Sequence, residues 1–176
     1  RSIELLKEMK VRHPKKFNQD ALEFAVSLVL EERRESGKSG SDVEKEALHL
    51  ALEYLAENPN ASTATQLSFL MLEKGAPNLG VTLLTPFVEK NRGNNEMLIR
   101  LLQLKLAEGK GEEVYHQLLS LYNKNQMPEI GWEIFVDLII KRDHYNLLKK
   151  VMKNFDLNNL DESTIELIAL LALENK

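Results

Sequence analysis

The sequence predicts an all-α protein, built as a right-handed α-solenoid of antiparallel helix-turn-helix repeats with a period of about 34 residues. The 176 residues are rich in Leu, Glu and Lys but include only 8 Gly and 5 Pro, which favours helices over strands. Short turns interrupt the leucine-rich segments. The turn residues Gly75, Gly109 and Asp143 recur at equal intervals, a spacing typical of stacked helical hairpins.

The first elements are expected to be a short helix at 2–10 and a longer one at 18–35, because apolar residues recur there at helical spacing. The longer helix runs into a polar stretch, so residues 31–42 are expected to form a flexible internal loop. A helix at 42–57 ends in the polar segment "ENPNAS", where Ser62 is an N-cap candidate for the next helix.

Three hairpins of equal layout follow, each with two helices around one turn residue, because Gly and Asp tolerate the backbone that ends a helix. The segments "KNRGNN", "KNQMPE" and "FDLNNLDES" separate the hairpins, since their Asn, Pro, Gly and Ser residues stop and cap helices. Asp161 is the N-cap candidate of the last helix. The helices of this region are predicted at 62–74, 76–90, 95–108, 111–124, 129–142, 144–155 and 161–175.

Residues 1–176 are expected to form a single helical repeat array, because one hairpin alone cannot bury its apolar face and must stack on neighbours. The chain opens on Arg1 without a methionine, so we expect it to be a segment of a longer protein. The C-terminal stretch "IELIALLAL" is apolar on too many sides for a polar cap. It therefore predicts that the protein continues past Lys176, or that this end packs on another chain.

Composition argues against several functional classes. Zero Cys removes disulfides, thiolate zinc sites and cysteine catalysis. The 23 Lys and Arg against 27 Asp and Glu give a net charge of −4, whereas nucleic-acid binders usually have a basic excess. The longest apolar runs are far short of a membrane span, so no membrane contact is expected. No catalytic triad, paired carboxylate site or Gly-rich cofactor loop is visible, which predicts a non-enzyme without cofactor or small-molecule substrate.

Two Glu-x-x-His pairs, Glu46 with His49 and Glu113 with His116, give the sharpest enzymatic hypothesis. Such pairs share a helix face and build the di-iron sites of ferritin-like bundles. The two histidines are almost two repeats apart in the chain, and the glycine corners exclude the long helices that such a bundle needs. Exposed or interhelix histidines are the favoured interpretation, and no metal site is predicted.

The stretch "ESGKSG" is similar to a phosphate-binding loop, with Lys38 and Ser39 as its working pair. That loop requires a glycine where this chain has Glu32, and it follows a buried strand rather than a charged helix end. A linker is the favoured interpretation.

The segment "IELLKEMKVRHPKKFNQDALEFAVSLVLEER" resembles the second helix of one pentatricopeptide repeat, a linker and the first helix of the next. The segment "LLKKVMKNFDLNNLDESTIELIALL" repeats this arrangement. With "STATQLSFLMLEKGAPNLGVTL", the array is similar in layout to the metazoan leucine-rich pentatricopeptide proteins implicated in mitochondrial mRNA maintenance. The resemblance implies a role in organellar RNA metabolism, a location in the mitochondrial matrix and single-stranded RNA as a candidate partner.

Two features depart from that family. Its base-reading fifth position corresponds here to Thr65, Ile99 and Glu133, of which only Thr65 suits base recognition. The first helices of the three regular hairpins also hold five basic and six acidic residues, so they lack the basic excess that binding an RNA backbone requires.

The tetratricopeptide alternative stays open as well. The small residue that this family uses for close helix packing corresponds to Gly80, Val114 and Leu148, and only Gly80 is small. Trp132 lies where that family often has tryptophan. The subtype of the repeat is therefore undecided between the two families.

Candidate binding residues fall into two sets. The candidate RNA contacts are basic residues together with the one suitable fifth position: Lys7, Lys10, Arg12, Lys15, Lys16, Thr65, Lys149 and Lys150. The second set lines a partner groove on the first helices: Thr65, Phe69, Ile99, Gln103, Glu133 and Asp137.

Two functions follow from these sets. One is a scaffold in organellar RNA metabolism that binds RNA or supports an RNA-binding partner. The other is a protein-binding scaffold of tetratricopeptide character, whose partner is another protein or flanking repeats of its own chain. The mixed apolar and acidic groove set suits a protein segment better than phosphates.

Overall fold

The structure is a computed structural model that describes residues 18–36 and 40–154, together with Glu8, Val11, Arg12 and Ile165. This part of the chain contains eight helices and no strand. They are α1 (Gln19–Ser36), α2 (Gly40–Glu57), α3 (Ala61–Glu73), α4 (Pro77–Lys90), α5 (Asn95–Ala107), α6 (Gly111–Asn123), α7 (Glu129–Ile140) and α8 (Tyr145–Asn154). None of the described helices is long and apolar enough to span a bilayer.

The all-α prediction is confirmed for the described residues, and each helix boundary lies within two residues of its predicted position. Helix occupies residues 31–36 and 40–42 of the stretch that was expected to be a loop, because its Glu and Arg residues are good helix formers. Residues 37–39 lie outside the described part of the chain. The predicted helices 2–10 and 161–175 also lie outside it, apart from Glu8 and Ile165.

From α3 onwards, helices of the same kind begin at equal intervals along the chain. The helices α3, α5 and α7, which we call first helices together with α1, begin at Ala61, Asn95 and Glu129, and the intervening second helices α4, α6 and α8 begin at Pro77, Gly111 and Tyr145. The first hairpin is longer, since α1 and α2 have 18 residues each, against 13 in α3 and 14 in α4.

All three predicted corner residues have left-handed backbone, with φ of 78° at Gly75, 82° at Gly109 and 56° at Asp143. Behind α3, the N–H of Gly75 donates to Leu72 O and the N–H of Ala76 donates to Met71 O. This pair of bonds ends a helix with a Schellman motif, which needs a left-handed residue at the corner. The same pair of bonds occurs around Asp143, so Gly and Asp mark these turns for a backbone reason.

The predicted N-cap Ser62 is wrong for α3. The helix begins at Ala61, and the side chain of Asn60 accepts hydrogen bonds from the backbone N–H groups of Ser62 and Thr63. Asn60 therefore satisfies two of the free donors at this helix start, and Ser62 lies in the first turn. Asp161 lies outside the described residues.

The chain divides into two compact units, Arg1–Glu108 (unit 1) and Gly109–Lys176 (unit 2), which are described separately. In unit 1, α1 packs on α2 and α3 packs on α4. The first helices α1, α3 and α5 are consecutive neighbours, and the second helices α2 and α4 also pack together. In unit 2, α7 packs against both α6 and α8.

The core of unit 1 is aliphatic. Its largest fully buried side chains are Leu22, Leu30, Leu67, Met71, Leu83, Leu84 and Leu104. Gly80 lies where α4 meets α3, because a Cβ at this position would stand 2.6 Å from the carbonyl oxygen of Ser68. The small residue at position 80 therefore permits a close approach of the two helices.

The core of unit 2 is built around aromatic rings. Phe135 of α7 is fully buried, and its ring centroid lies 6.2 Å from Tyr115 and 5.6 Å from Tyr122, both on α6. Trp132 packs edge-on against Tyr122 at 6.0 Å. Aromatic pairs at these distances contribute packing energy beyond the area that they bury.

Candidate functional site

A surface groove of about 330 Å³ lies between α3 and α5 in unit 1, and we call it the α3/α5 groove. Two consecutive first helices form its walls, since both supply lining residues and the two helices pack together. The lining residues are Ala61, Ser62, Thr65, Gln66, Asn94, Glu96, Met97 and Arg100.

Two asparagine caps fix the helix starts at this groove. Asn60 caps α3, and the side chain of Asn94 accepts a hydrogen bond of 3.0 Å from the backbone N–H of Met97 in α5. Within α3, the hydroxyl of Thr65 donates to the carbonyl of Ala61 at 2.9 Å. The groove is therefore built on capped helices, which hold side chains more rigidly than loops do.

Arg100 stands at the edge of the groove with its guanidinium held between two helices. The guanidinium carbon lies 5.6 Å from the ring centroid of Phe69 on α3, which is a cation–π distance. Nη1 of Arg100 donates to Oε1 of Gln103 at 3.3 Å. Within the described part of the chain, no carboxylate forms an ion pair with Arg100, although Glu96 lines the same groove.

A second polar network joins α1 to α3 beside the groove. The hydroxyl of Thr63 donates to Oε1 of Gln19 at 2.9 Å. Nε2 of Gln19 donates to Oε1 of Gln66 at 2.5 Å and to Glu23 at 2.8 Å. At the other end of α3, Lys74 pairs with Glu31 of α1. The hydrogen bond from Gln19 orients Gln66, which is a lining residue of the groove.

The structure brings three of the predicted groove residues together. Thr65 lines the α3/α5 groove, while Phe69 and Gln103 hold Arg100 at its edge. The prediction of Ile99 as a groove residue is wrong, because its side chain is fully buried and cannot line a groove.

The other two predicted groove residues belong to unit 2. Glu133 is exposed on α7, and Asp137 forms an ion pair of 2.8 Å with Lys141 of the same unit. They are therefore not residues of the α3/α5 groove.

Sequence reasoning did not assign Gln66, Asn94, Met97 or Arg100 to a site. Arg100 directly follows Ile99, and one position along a helix turns a side chain by about 100°. An error of one residue in the repeat register therefore exchanges a core position for a groove position. The signal that could have revealed Arg100 is its spacing of four from Glu96, which places both on one helix face.

The candidate RNA contacts have mixed outcomes. Lys7, Lys10, Lys15 and Lys16 lie outside the described residues. Arg12 is exposed and pairs with Glu8 at 2.5 Å.

The basic residues of unit 2 lie on an exposed surface. Lys149, Lys150 and Lys153 are exposed on α8, and this helix contains no acidic residue. Lys141, just before it in the chain, pairs with Asp137. Three lysines of α8 therefore form a basic surface, which we call the α8 lysine face.

Unit 2 also contains a cluster of contacts around Arg142. The guanidinium carbon of Arg142 lies 4.7 Å from the ring centroid of Tyr115, and its Nη2 donates to Glu112 at 2.9 Å. A hydrogen bond of 2.7 Å joins the hydroxyl of Tyr115 to Nδ1 of His144. The side chain of Arg142 is 17% exposed. This cluster ties the start of α6 to the corner between α7 and α8.

A second surface depression, of about 510 Å³, follows the chain from Asp143 to Lys149. Its lining residues are Asp143, His144, Tyr145, Asn146, Leu147 and Lys149. They come from one corner and one helix start, so a single stretch of chain forms it. The α3/α5 groove differs because two packed helices form its walls.

The two histidines of the metal hypothesis are exposed. Nε2 of His49 lies 3.1 Å from a carboxylate oxygen of Glu53, and Nε2 of His116 lies 3.9 Å from one of Glu112. Across residues 18–36 and 40–154, no three His, Asp or Glu side chains converge as a metal site. The stretch that is similar to a phosphate loop follows helix α1 rather than a strand.

Comparison of the chain with protein-family models, with curated proteins and with solved structures gave no match. The function is therefore argued from the site itself.

Proposed function

We propose that this chain is a non-enzymatic helical-repeat scaffold that binds an extended segment of a partner protein in the α3/α5 groove. The observation that carries this proposal is a groove between two consecutive first helices, with capped helix starts and a positioned arginine at its edge. Helical repeats bind their partners along such repeated surfaces.

The proposed architecture is a right-handed solenoid of the pentatricopeptide or tetratricopeptide type. It is supported by the equally spaced helix starts from α3 to α8. The left-handed corners at Gly75, Gly109 and Asp143 recur at the same interval. In unit 1, the packing of α1, α3 and α5 as consecutive neighbours is the arrangement that stacked hairpins require.

The chemistry of the groove favours a protein segment over a phosphate chain. Ser62, Thr65, Gln66 and Asn94 offer uncharged hydrogen-bonding groups, and the almost fully buried Met97 offers a small apolar contact. Among the described residues that line the groove, only Glu96 and Arg100 are charged, and their charges cancel. An RNA backbone gains affinity from several cations, whereas an extended peptide needs hydrogen bonds and small apolar contacts.

A selection of short random peptides displayed on phage tests this function, with two matched variants of the protein. Ser62→Trp fills the groove from an exposed position in α3, and Ser120→Trp makes the same change at an exposed position in α6. We expect selected peptides to lose at least about tenfold in affinity for Ser62→Trp and to bind Ser120→Trp like the wild type.

Two results would contradict the proposal. One is a selection that enriches no peptide. The other is a set of peptides that binds both tryptophan variants equally well, because their site would then lie outside the α3/α5 groove. Melting temperatures of both variants must match that of the wild type for the comparison to count.

A second candidate function is RNA binding at the α8 lysine face, in organellar RNA metabolism and in the mitochondrial matrix. The resemblance to pentatricopeptide proteins motivates it, and the exposed lysines of an acid-free helix favour it. Fluorescence anisotropy with a short single-stranded RNA tests it. If this function is right, binding weakens steeply with salt and is lost in the double variant Lys149→Gln with Lys150→Gln.

The matched control for that measurement is Lys90→Gln with Lys124→Gln, which removes two exposed lysines elsewhere. Equal RNA affinity of the two double variants would exclude a specific role of the α8 lysine face. Absence of RNA binding at low salt would leave the protein-binding function alone.

A further inference from the structure

We propose that Arg100 is a receptor for a carboxylate, so that the α3/α5 groove selects an extended protein segment carrying an Asp or Glu side chain. This inference rests on the proposed function, because it assumes that a protein segment occupies the groove. It adds the chemical class of that segment and the residue that recognises it.

The guanidinium of Arg100 is already positioned for such a contact. Phe69 covers it from α3 at 5.6 Å, and Gln103 accepts one of its hydrogen bonds at 3.3 Å. An arginine presents five N–H donors in a planar fork that matches the two oxygens of a carboxylate. One contact to Gln103 leaves most of these donors for a ligand. Because the side chain is half-buried and already oriented, it loses little conformational freedom on binding.

Arg100 forms no ion pair within the described part of the chain, although Glu96 lines the same groove. In the described part of the chain its polar and ring contacts are Gln103 and Phe69, and no carboxylate pairs with it. Arg142 shows how this chain closes a comparable contact, since Glu112 accepts a hydrogen bond from it at 2.9 Å. A carboxylate from a partner would accept a hydrogen bond from Arg100 in the same way as Glu112 accepts one from Arg142.

The position of Glu96 sharpens the selectivity. Glu96 lines the same groove one helical turn before Arg100, so it repels a segment with several adjacent acids or a chain of phosphates. A single carboxylate directed at the Arg100 fork avoids most of this repulsion. The segment is therefore expected to carry one acidic side chain at a fixed place, flanked by uncharged residues.

The neighbouring lining residues suit an extended backbone on either side of that carboxylate. Thr65 and Gln66 on α3 and Asn94 before α5 supply hydrogen-bonding groups. Met97 lies between Asn94 and Arg100 in the chain and, although almost fully buried, lines the groove with a small apolar contact. A protein segment can use these contacts for its main chain while Arg100 reads one side chain.

The experiment uses peptides selected on the wild-type protein from a random display library. We expect Asp or Glu at one fixed position of the selected peptides. In one such peptide, Glu→Gln should weaken binding to the wild type by about tenfold and should hardly change binding to Arg100→Gln. Arg100→Lys should fall between the two, because it keeps the charge but loses the fork and the stacking on Phe69.

The matched control is Arg92→Gln, which removes an exposed arginine near the groove that does not line it. It should bind the selected peptides like the wild type. If Arg92→Gln and Arg100→Gln weaken binding equally, net charge rather than a specific receptor explains the effect, and the inference fails.

The remaining outcomes separate this inference from the proposed function. If Ser62→Trp abolishes binding but the peptides carry no fixed acid, the groove function stands and the carboxylate receptor is wrong. If Ser62→Trp has no effect, both are wrong. If a short single-stranded RNA binds and Arg100→Gln removes that binding while acidic peptides do not bind, the groove reads phosphate and the inference is overturned.

Discussion

Arg100 in unit 1 and Arg142 in unit 2 each lie over an aromatic ring, but within the described residues only Arg142 also pairs with a carboxylate. Arg142 lies over Tyr115 at 4.7 Å and is closed by Glu112, and its side chain is only 17% exposed. Arg100 lies over Phe69 at 5.6 Å, and within the described residues its one hydrogen-bond acceptor is the amide oxygen of Gln103. The ion pair with Glu112 thus links Arg142 to α6, whereas no carboxylate in the described part of the chain pairs with Arg100.

The two units also differ in how their hairpins pack. At corresponding positions of the second helices α4, α6 and α8, unit 1 has Gly80 and unit 2 has the buried residues Val114 and Leu148. The glycine lets α4 approach the backbone of α3. Unit 2 instead fills its interior with aromatic rings around Phe135. The two units therefore fill their cores in different ways, which the following substitutions can distinguish.

Phe135→Ala should have the largest effect on stability. Phe135 is fully buried between Tyr115 and Tyr122, so its truncation should lower the free energy of unfolding by about 3–5 kcal/mol. The control Phe24→Ala removes a ring that is 60% exposed in unit 1 and should change stability by less than about 0.5 kcal/mol. Urea denaturation measures both. Similar losses for the two variants would contradict an aromatic core centred on Phe135.

Gly80→Ala should destabilise unit 1 by about 1–3 kcal/mol, because its Cβ would meet a backbone carbonyl that cannot move aside easily. Gly93→Ala is the matched control, since a Cβ there meets nothing within 4 Å. Urea denaturation of the two variants gives the difference. A Gly80→Ala protein as stable as the control would show that the close approach of α3 and α4 is relaxed in solution.

Gly109→Val should lower the free energy of unfolding by about 1–2 kcal/mol for a purely backbone reason. The site has open space around it, but its φ of 82° suits glycine and is strained for a branched residue. Thermal unfolding followed by circular dichroism measures the shift, with Gly93→Val as control. An unchanged melting temperature would contradict the left-handed turn at Gly109 and the predicted repeat register that depends on it.

Arg142→Gln should lower the free energy of unfolding by about 1–2 kcal/mol, because it removes a hydrogen-bonded ion pair and the packing on Tyr115. Arg100→Gln should lower it by only about 0.5 kcal/mol, the value of one surface cation–π contact. Chemical denaturation of both variants at equal salt measures the difference. An equal loss of unfolding free energy in both variants would mean that Arg100, like Arg142, stabilises the fold, which would argue against a role in recognition.

The sequence was informative where structure depends on near neighbours in the chain. Leucine spacing located the helices, and Gly75, Gly109 and Asp143 located the corners, because a left-handed residue restricts the choice of amino acid. The N-cap of α3 was misplaced from Asn60 to Ser62, since both residue types cap helices well.

The site was harder to predict because it depends on helix rotation and on contacts between distant residues. Thr65 lines the α3/α5 groove, whereas Ile99 is buried and its neighbour Arg100 was not predicted as a site residue. The pair of Arg142 and Glu112 joins residues 30 positions apart, so local patterns carry no signal for it. The comparison of the two arginines therefore needs the three-dimensional structure.

The most direct measurement is an NMR titration of the ¹⁵N-labelled chain with one selected acidic peptide. We expect the backbone amides of Ser62, Thr65, Gln66, Met97 and Arg100 to shift together and to saturate at one equivalent, with the amides of α8 unchanged. Shifts confined to α8, or no shifts at a concentration where the peptide binds by an independent assay, would contradict a docking site between α3 and α5.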